Sequence, residues 1–417
     1  MRRLVMICRH FPPSHAVGGK RPHRLARYLP ASGWCPTVYT SPPPPASRPD
    51  PTAGLPLPAE VEVHRDWPLA SISPAASDGT EASPSGPRSA PRGLGRRLAF
   101  QLEPPLGRGL WRGPRTAQAV AALARACGAS ALWASSGPAE CLWVGALASR
   151  WTGLPLLLDL RDPWSLNFLQ QDKAPLTRWF DAALEARLFA AAAAITFTSE
   201  ATTAAYRRRY PTLAARMVTI ESGFEPAARP PVAPTRRHGP LDLVHFGSCY
   251  GERRLDGLLR ALARLTSEER AAISVEVMGR VAAADLRLAA ALGVADRLRV
   301  APAIPYAEGL ARLAAADRLL LLGYGDETLY LPAKLYDYLL VGVPILALAP
   351  PSELAARVVA AGGEVAAPGD IEAIVDLLRV ALAKKRAGDR PIREPSPRDS
   401  AEVGAAALAA LLDRVVG

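Results

Sequence analysis

The chain has 417 residues, 49% hydrophobic and 21% charged, which suits a globular protein of two α/β domains and excludes a disordered or fibrous chain. Residues 1–240 carry 29 Lys and Arg against 16 Asp and Glu, whereas residues 241–417 carry 21 against 23. The sequence holds no nucleic-acid recognition motif, so the basic N-terminal half favours an anionic lipid surface or a phosphorylated acceptor over nucleic acid. A solvated, arginine-rich surface that reflects coding bias is the alternative interpretation.

The cysteines and the apolar runs indicate a cytoplasmic protein. The five cysteines are scattered and form no C-x-x-C pair, which argues against a disulfide framework and a zinc site and for a reducing compartment. The first apolar run, Leu4–Cys8, is too short for the core of a signal peptide. No window reaches the roughly 18 apolar residues that a membrane-spanning helix needs.

The chain begins with the pattern of a doubly wound domain. Leu4–Cys8 is a continuous apolar run and predicts a buried parallel strand. A loop with Gly18 and Gly19 follows, and then a helix that ends at Gly33 before a strand at Thr37–Tyr39. Strand, glycine-containing loop, helix and strand in this order open a Rossmann-like domain.

A Pro- and Ser-rich region interrupts this domain. Residues 71–93 contain too little apolar sequence to fold and predict a mobile insertion. The following segment, 94–112, mixes Arg96, Arg97, Arg108 and Arg112 with Phe100, Leu110 and Trp111. Such a mixture is compatible with a membrane surface, although Pro104-Pro105 would break a long helix, and a loop packed on the domain is the alternative.

The α/β pattern then resumes and repeats in a second domain. In the first domain the pattern predicts helices at 117–126, 139–151 and 176–192, and strands at 131–134, 154–158, 194–198 and 218–220. Residues 227–240 are rich in Pro and Arg and predict a linker between domains at 1–226 and 241–395. The second domain's strands are expected at 241–246, 275–278, 298–300, 319–322 and 344–347. A helix within 396–417 closes the chain and is a candidate to pack back on the first domain.

Two common nucleotide-binding motifs are absent. Neither half has a G-x-G-x-x-G after a strand, and Gly19-Lys20 lacks the upstream glycine of a P-loop, since that position is Ser14. A dehydrogenase or kinase is therefore not favoured. The Gly18-Gly19 pair nevertheless allows a pyrophosphate to approach the backbone closely. The alternative is a plain turn between strand and helix.

Several short motifs, in their order and spacing, resemble the retaining glycosyltransferases of family 4. They are F-P-P at 11–13, G-G at 18–19, T-S-E at 198–200, I-E-S-G-F at 220–224, F-G-S at 246–248, V-M-G at 277–279 and P-A-K-L-Y-D-Y-L at 332–339. The resemblance runs nearly end to end apart from the Pro- and Ser-rich insertion. It implies the GT-B fold, in which two Rossmann-like domains face each other with the donor in the cleft between them.

The resemblance also assigns donor-binding residues. In the family the Gly18-Gly19 loop lies under the transferred sugar and phosphate, and Gly247-Ser248 ends the first strand of the second domain. Arg253 and Arg254 open the helix that is predicted to follow this strand. Family members commonly have an Arg where this chain has Ser248, so the diphosphate charge would fall to Arg253 or Arg254. Taken alone, two arginines on an arginine-rich surface are more often solvated than functional.

The segment 332–342 carries the most specific signal. Lys334 lies at the start of a predicted helix that ends at Gly342. From there it is placed to reach a phosphate, and Asp337 would accept hydrogen bonds from the ribose hydroxyls. The family motif has two Glu eight positions apart. Here the second acid is Asp337 and the first position is Leu329, so Glu327 or Asp326 would substitute for the missing acid. A plain surface charge is the alternative for Asp337.

A D-x-R-D-P-W motif at 159–164 follows the predicted strand 154–158 and resembles a subset of the family. Most members have a His near the position of Arg161, with an acid beside it. We take Arg161 and Asp162 as catalytic candidates. Binding of the sugar, binding of the acceptor, and a structural ion pair between the two are all open.

The sequence therefore predicts a retaining glycosyltransferase that moves a sugar from a nucleotide-sugar donor to a glycan or lipid-linked acceptor, at the inner membrane face in cell-surface polysaccharide or glycolipid synthesis. We expect no metal or other cofactor, because the GT-B class generally needs none. A nucleotide-sugar 2-epimerase of the same architecture is one alternative. A non-catalytic sugar-binding homologue is another, since Leu329 and Arg161 replace common active-site residue types.

Overall fold

A computed structural model describes residues 1–14, 16–43, 54–67, 106–107, 109–167, 173–231, 238–249, 251, 253–323 and 329–417. Two compact units make up the chain: unit 1 comprises Met1–Gly223 and Ser400–Gly417, and unit 2 comprises Phe224–Asp399. The predicted insertion at 71–93, the central part of the predicted linker, and both Asp326 and Glu327 lie outside the described residues.

Unit 1 is built on a seven-stranded parallel sheet. Its strands are β1 (Arg2–Ile7), β2 (Trp34–Tyr39), β3 (Glu62–His64), β4 (Ala129–Ser135), β5 (Leu156–Leu160), β6 (Ala194–Phe197) and β7 (Met217–Thr219). They are arranged in the order β3-β2-β1-β4-β5-β6-β7. The central strands are apolar and buried on both faces, as expected for a parallel sheet covered by helices.

The helices of unit 1 are α1 (Lys20–Tyr28), α2 (Gly109–Ala126), α3 (Glu140–Thr152), α4 (Pro175–Ala191), α5 (Glu200–Arg209) and α13 (Ala401–Val416). The last of these belongs to unit 1 although it ends the chain. Leu408 and Leu412 on α13 are buried in one cluster with Leu4, Leu25 and Trp34. The closing helix is therefore part of the core of unit 1.

Unit 2 repeats the plan with a six-stranded parallel sheet. Its strands are β8 (Leu241–Phe246), β9 (Ile273–Met278), β10 (Leu298–Ala301), β11 (Arg318–Leu322), β12 (Ile345–Leu348) and β13 (Glu364–Ala366), in the order β10-β9-β8-β11-β12-β13. The helices are α6 (Asp256–Arg264), α7 (Ser267–Ala271), α8 (Ala283–Ala291), α9 (Tyr306–Ala314), α10 (Ala333–Val341), α11 (Glu353–Ala360) and α12 (Ile371–Ala387). Both units are Rossmann-like, which confirms the predicted α/β class.

Three local predictions differ from the structure. The strand predicted at 154–158 is β5, Leu156–Leu160, so Asp159 lies within the strand and does not follow it. The helix predicted at 117–126 is α2 and begins at Gly109, so it includes the last residues of the segment 94–112, for which a packed loop was the alternative prediction. The arginines at 253 and 254 precede α6, which begins at Asp256, and do not open it. Among the described residues, no helix is long and apolar enough to span a membrane.

Candidate functional site

Each sheet has a point where the strand order reverses, and the predicted site residues lie at these points. In unit 1 the order reverses between β1 and β4, and in unit 2 between β8 and β11. The loops that leave neighbouring strands here run to opposite sides, which opens a crevice at the carboxyl ends of the strands where α/β proteins bind ligands. We describe the two places separately.

In unit 1, the guanidinium of Arg161 is packed against two glycines. A Cβ atom on Gly18 would lie 2.7 Å from Nη1 of Arg161, and one on Gly137 would overlap Nη2. Gly18 lies in the loop after β1 and Gly137 in the loop after β4, so the side chain crosses the point where the strand order reverses. Any larger residue at either position would displace this guanidinium. The structure thus brings two predicted site residues, Gly18 and Arg161, together.

The backbone and side chain of Arg161 are both fixed by hydrogen bonds. Its Nε donates to the carbonyl of Ser136 at 2.9 Å, and its backbone N–H donates to Oγ of Ser136 at 3.0 Å. Thr198 donates through Oγ1 to the Arg161 carbonyl at 2.8 Å. No ion pair joins Arg161 to Asp162 within the part of the chain that the structure describes. The structural ion pair considered from the sequence is therefore wrong.

Beneath this loop lies a buried ion pair. The carboxylate of Asp159, inside β5, accepts from Arg21 (Nη2, 2.7 Å), Ser135 (Oγ, 2.8 Å) and Thr196 (Oγ1, 2.7 Å). Arg21 stands in the first turn of α1 and also donates to the carbonyl of Glu221 at 2.9 Å. These bonds allow a charge to lie inside a sheet. They also fix the start of α1, which the Gly18-Gly19 turn immediately precedes.

A second buried carboxylate, Glu185 on α4, holds the end of the D-x-R-D-P-W motif. It accepts from the backbone N–H and the hydroxyl of Ser165, and from the hydroxyls of Tyr206 (2.9 Å) and Tyr210 (2.8 Å). Tyr206 in turn accepts from the backbone N–H of Trp164 at 2.8 Å. Burial raises the pKa of the Glu185 carboxyl despite these four donors. The motif is therefore fixed at both ends, by the Arg161 contacts and by Glu185.

His10, in the loop after β1, is a neighbour of Arg161 that the sequence did not single out. Burial, together with Arg161 and Arg9, lowers the pKa of His10 to about 4. The imidazole is accordingly neutral near pH 7, with a guanidinium beside it. The other predicted glycine of this loop, Gly19, abuts the backbone of Phe11, since a Cβ there would lie 3.1 Å from the Phe11 backbone nitrogen.

In unit 2, Lys334 packs across Gly247 at the carboxyl end of β8. A Cβ atom on Gly247 would lie 2.6 Å from Cε and 3.0 Å from Nζ of Lys334. A Cβ on Gly279, which follows β9, would lie 2.8 Å from the backbone nitrogen of Ser248. Two glycines thus leave the strand ends without side chains, and a lysine from the first turn of α10 reaches over them. Helix α10 ends, as predicted, at Gly342, which is left-handed with φ of 74°.

Ser248 and the two arginines near it have different environments. Ser248 accepts through Oγ from the backbone N–H of Arg280 at 3.0 Å. Arg254 donates from Nε and Nη2 to the buried carboxylate of Asp285 at 2.8 and 2.6 Å. That carboxylate partly neutralises the charge of Arg254.

The positive charges of Lys334 and Arg253 lower the pKa of buried groups in and just after β8. Burial lowers the pKa of His245 well below its usual range, and Lys334 and then Arg253 lower it further. The same two cations act on Cys249, whose pKa burial raises to about 12. Both cations therefore act on the carboxyl end of β8.

Asp337 is buried, which differs from the exposed surface charge considered as an alternative. Its Oδ1 accepts from the hydroxyl of Tyr306 on α9 at 2.6 Å. The ring of Tyr306 stacks on Phe246 at the end of β8, with centroids 6.3 Å apart. A ribose contact by Asp337 would have to share the carboxylate with Tyr306.

Among the described residues, no group of His, Cys, Asp and Glu side chains could hold a metal ion.

Much of the basic excess near the N-terminus serves internal contacts. Four arginines pair with carboxylates, and Arg24 donates to the carbonyl of Gly223 at 2.5 Å. The pairs are Arg2–Asp413, Arg3–Glu62, Arg9–Glu140 and Arg21–Asp159. The excess of basic over acidic residues near the N-terminus is therefore a weaker argument for an anionic partner than the sequence suggested. Of the basic candidates in segment 94–112, only Arg112 lies within the described residues.

Comparison with known proteins shows which domains and folds this chain is similar to. Residues 18–223, nearly all of the first part of unit 1 and just under half of the chain, match the family model of the glycosyl transferase 4-like domain. No curated protein matches the chain. Residues 18–223 are therefore similar to the glycosyl transferase 4-like domain, which agrees with the motifs found in that part of the sequence.

Solved structures share the fold over the whole chain. Sucrose-phosphate synthase from Thermosynechococcus elongatus is 16% identical with a TM-score of 0.63, covering 100% of this chain and 96% of that one. WaaG, a glycosyltransferase involved in lipopolysaccharide biosynthesis, is 18% identical with a TM-score of 0.60, covering 99% and 98%. Anabaena HepE in complex with UDP-glucose is 14% identical with a TM-score of 0.57, covering 100% and 98%. The GT-B class of fold predicted from the sequence is confirmed.

Proposed function

We infer that this protein transfers a sugar from a nucleotide-diphosphate sugar to a glycan or lipid-linked acceptor. The observation that carries the proposal is the contact of Lys334 with Gly247 beside Gly279. Side chains are absent where a diphosphate would approach, a cation reaches over the gap, and the first turn of α10 supplies backbone N–H groups. The UDP-glucose complex of the neighbour HepE supports a nucleotide-sugar as the ligand.

The reaction follows from what these groups stabilise. The bond between the anomeric carbon and the diphosphate breaks and negative charge develops on the leaving diphosphate. An acceptor hydroxyl bonds through its oxygen to the anomeric carbon and passes its proton to the leaving diphosphate. Lys334 and Arg253 would stabilise that charge without a metal ion. Arg161 and Asp162, with Gly18 and Gly19, would contact the sugar or the acceptor. The involvement of the neighbour WaaG in lipopolysaccharide biosynthesis supports a cell-surface glycan or glycolipid as the acceptor.

Retention of configuration is part of the proposal, since the sequence resembles a retaining family. An α-linked donor should then give an α-linked product, which the NMR coupling constant of the new anomeric proton reports. A β-linked product would remove retention from the proposal and leave sugar transfer in place.

A panel of nucleotide-sugars tests donor binding. One of them should raise the melting temperature of the protein, because a ligand that binds the folded state stabilises it by mass action. Lys334→Ala should lose most of this shift. Lys384→Ala is the control, since Lys384 pairs with Glu364 in unit 2 outside the residues of the candidate site. No shift with any nucleotide-sugar, or equal shifts in all three proteins, would contradict the proposal.

A further inference from the structure

The hydroxyl of Tyr338 on α10 lies between two strands of the unit 2 sheet. It accepts from the backbone N–H of Phe246 in β8 at 3.0 Å and donates to the carbonyl of Leu320 in β11 at 3.1 Å. The side chain is fully buried, and burial raises the pKa of Tyr338, so the hydroxyl keeps the proton that it donates. With one donor and one acceptor as partners, the hydroxyl is fixed at the end of β8.

This hydroxyl takes the place of a backbone hydrogen bond of the sheet. The two strands pair in parallel, with Val244 opposite Leu319. In that register the next bond of the ladder would join the Phe246 N–H to the Leu320 carbonyl. Each of these two groups bonds to Tyr338 instead, at the point where the strand order reverses. The side chain therefore holds β8 and β11 apart where the crevice of unit 2 opens.

The same helix carries Lys334 to the neighbouring residue of β8. Lys334 and Tyr338 are four positions apart on α10, so their side chains lie on one face of the helix. Tyr338 bonds to the backbone of Phe246, and Lys334 lies over the next residue, Gly247. The bond of Tyr338 thus fixes the first turn of α10 relative to the strand end that Lys334 covers.

We propose that Tyr338 is a positioning residue for donor binding, which holds Lys334 where it meets the diphosphate. The inference rests on the proposed function, because that function assigns the diphosphate to Lys334 and Gly247. Tyr338 itself does not touch the donor in this account. It acts through the lysine, and its effect on affinity should therefore vanish when the lysine is absent.

Loss of the hydroxyl has a defined structural consequence. Phenylalanine fills the same space but neither donates nor accepts, so the Phe246 N–H loses its partner. The Leu320 carbonyl keeps the hydrogen bond that Nδ1 of His245 donates at 2.9 Å. The N–H then stays unpaired, which releases α10 from β8, or the ladder bond forms, which draws the end of β8 toward β11. Both outcomes change the position of Lys334 relative to Gly247.

The test is a double-mutant cycle of Tyr338→Phe and Lys334→Ala, with affinities from isothermal titration calorimetry. The ligands are the nucleotide-sugar found in the panel and inorganic pyrophosphate. Tyr338→Phe should weaken the binding of both about tenfold, because the displaced lysine loses much of a charged hydrogen bond to phosphate. In the Lys334→Ala background the same change should cost less than about twofold. A hydroxyl that only stabilised unit 2 would change affinity by the same factor in both backgrounds.

Leu378→Ala is the control for a general loss of stability. Leu378 is buried on α12 in the core of unit 2 and is not a residue of the candidate site. Its alanine variant should melt at least as many degrees below wild type as Tyr338→Phe does, and should bind the nucleotide-sugar normally. Circular dichroism checks the fold of every variant. If Tyr338→Phe does not fold, Tyr338→Met, which also lacks the hydroxyl, takes its place in the cycle.

The outcomes separate this inference from the proposed function. The inference is overturned if Tyr338→Phe binds the nucleotide-sugar like wild type, or if its loss of affinity is the same with and without Lys334. A wild type that binds pyrophosphate in a Tyr338-dependent way but binds no nucleotide-sugar would keep this inference and remove the proposed function. Normal binding and turnover of the nucleotide-sugar by Tyr338→Phe would do the reverse.

Discussion

Gly247→Ala should damage donor binding through the side chain of Lys334. Gly247 has φ of 114°, and a Cβ atom there would lie 2.6 Å from Cε of Lys334. The substitution therefore has two effects, a strained backbone and a displaced lysine. The strain alone should cost about 1–3 kcal/mol of folding stability, because L residues rarely adopt this conformation.

Gly293→Ala is the control that separates these effects. Gly293 also has a positive φ, 67°, but no atom lies within 4 Å of its would-be Cβ. Its alanine variant should lose about 1–2 kcal/mol of stability from backbone strain and bind the donor normally. Because both variants lose a similar amount of stability, the difference between their donor affinities reports the displacement of Lys334 alone.

The magnitude for binding follows from the contact that is lost. A hydrogen bond between a charged lysine and a phosphate oxygen contributes about 1.5–3 kcal/mol, so Gly247→Ala should weaken donor binding about 10- to 150-fold. Isothermal titration calorimetry with the nucleotide-sugar found in the panel measures this. In a Lys334→Ala background the Gly247 substitution should cost no further affinity. Fully additive losses would show that Gly247 does not act through the lysine and would refute the reasoning.

Three further substitutions test unit 1. Gly18→Ala, where the backbone is not left-handed, should displace Arg161 and lower the transfer rate at least about tenfold at a stability cost below about 1 kcal/mol, measured by initial rates and urea unfolding. Asp159→Asn should lower the free energy of unfolding by about 3–5 kcal/mol, because Arg21 would lose its buried partner. Burial raises the pKa of Glu185, so stability should fall as pH rises from the unfolded pKa of about 4.3 through the folded one. In the Glu185→Gln variant, the free energy of unfolding should change less with pH over this range than in wild type. An unchanged pH dependence would show that Glu185 does not cause it.

The sequence predicted features that depend on neighbours along the chain. Helix α10 was predicted to begin near Lys334 and to end at Gly342, and the structure places it at Ala333–Val341. The buried strands were predicted from continuous apolar runs, which need no partner to be recognised. Two edge strands, β3 and β13, were missed because each has only three residues and begins with a Glu, so neither forms an apolar run.

Features set by distant partners could not be predicted. The burial of Asp159 depends on Arg21, which lies 138 positions away in the sequence. Without knowledge of that partner, an Asp that follows an apolar run predicts the end of a strand. The pairing of Arg254 depends on Asp285, which lies 31 positions further on, in α8. Gly137 left only a weak signal, a glycine directly after a strand, and its closeness to Arg161 appears only once the sheet is assembled.

The most direct test of the account is the release of nucleoside diphosphate from the nucleotide-sugar that stabilises the protein. Water should serve as a slow acceptor, so wild type should release the diphosphate steadily, and Lys334→Ala should do so at least about tenfold more slowly at saturating donor. The Lys384→Ala control should match wild type. A protein that binds the nucleotide-sugar but leaves it intact, with water and with added glycan or lipid acceptors, would contradict the proposed transfer reaction.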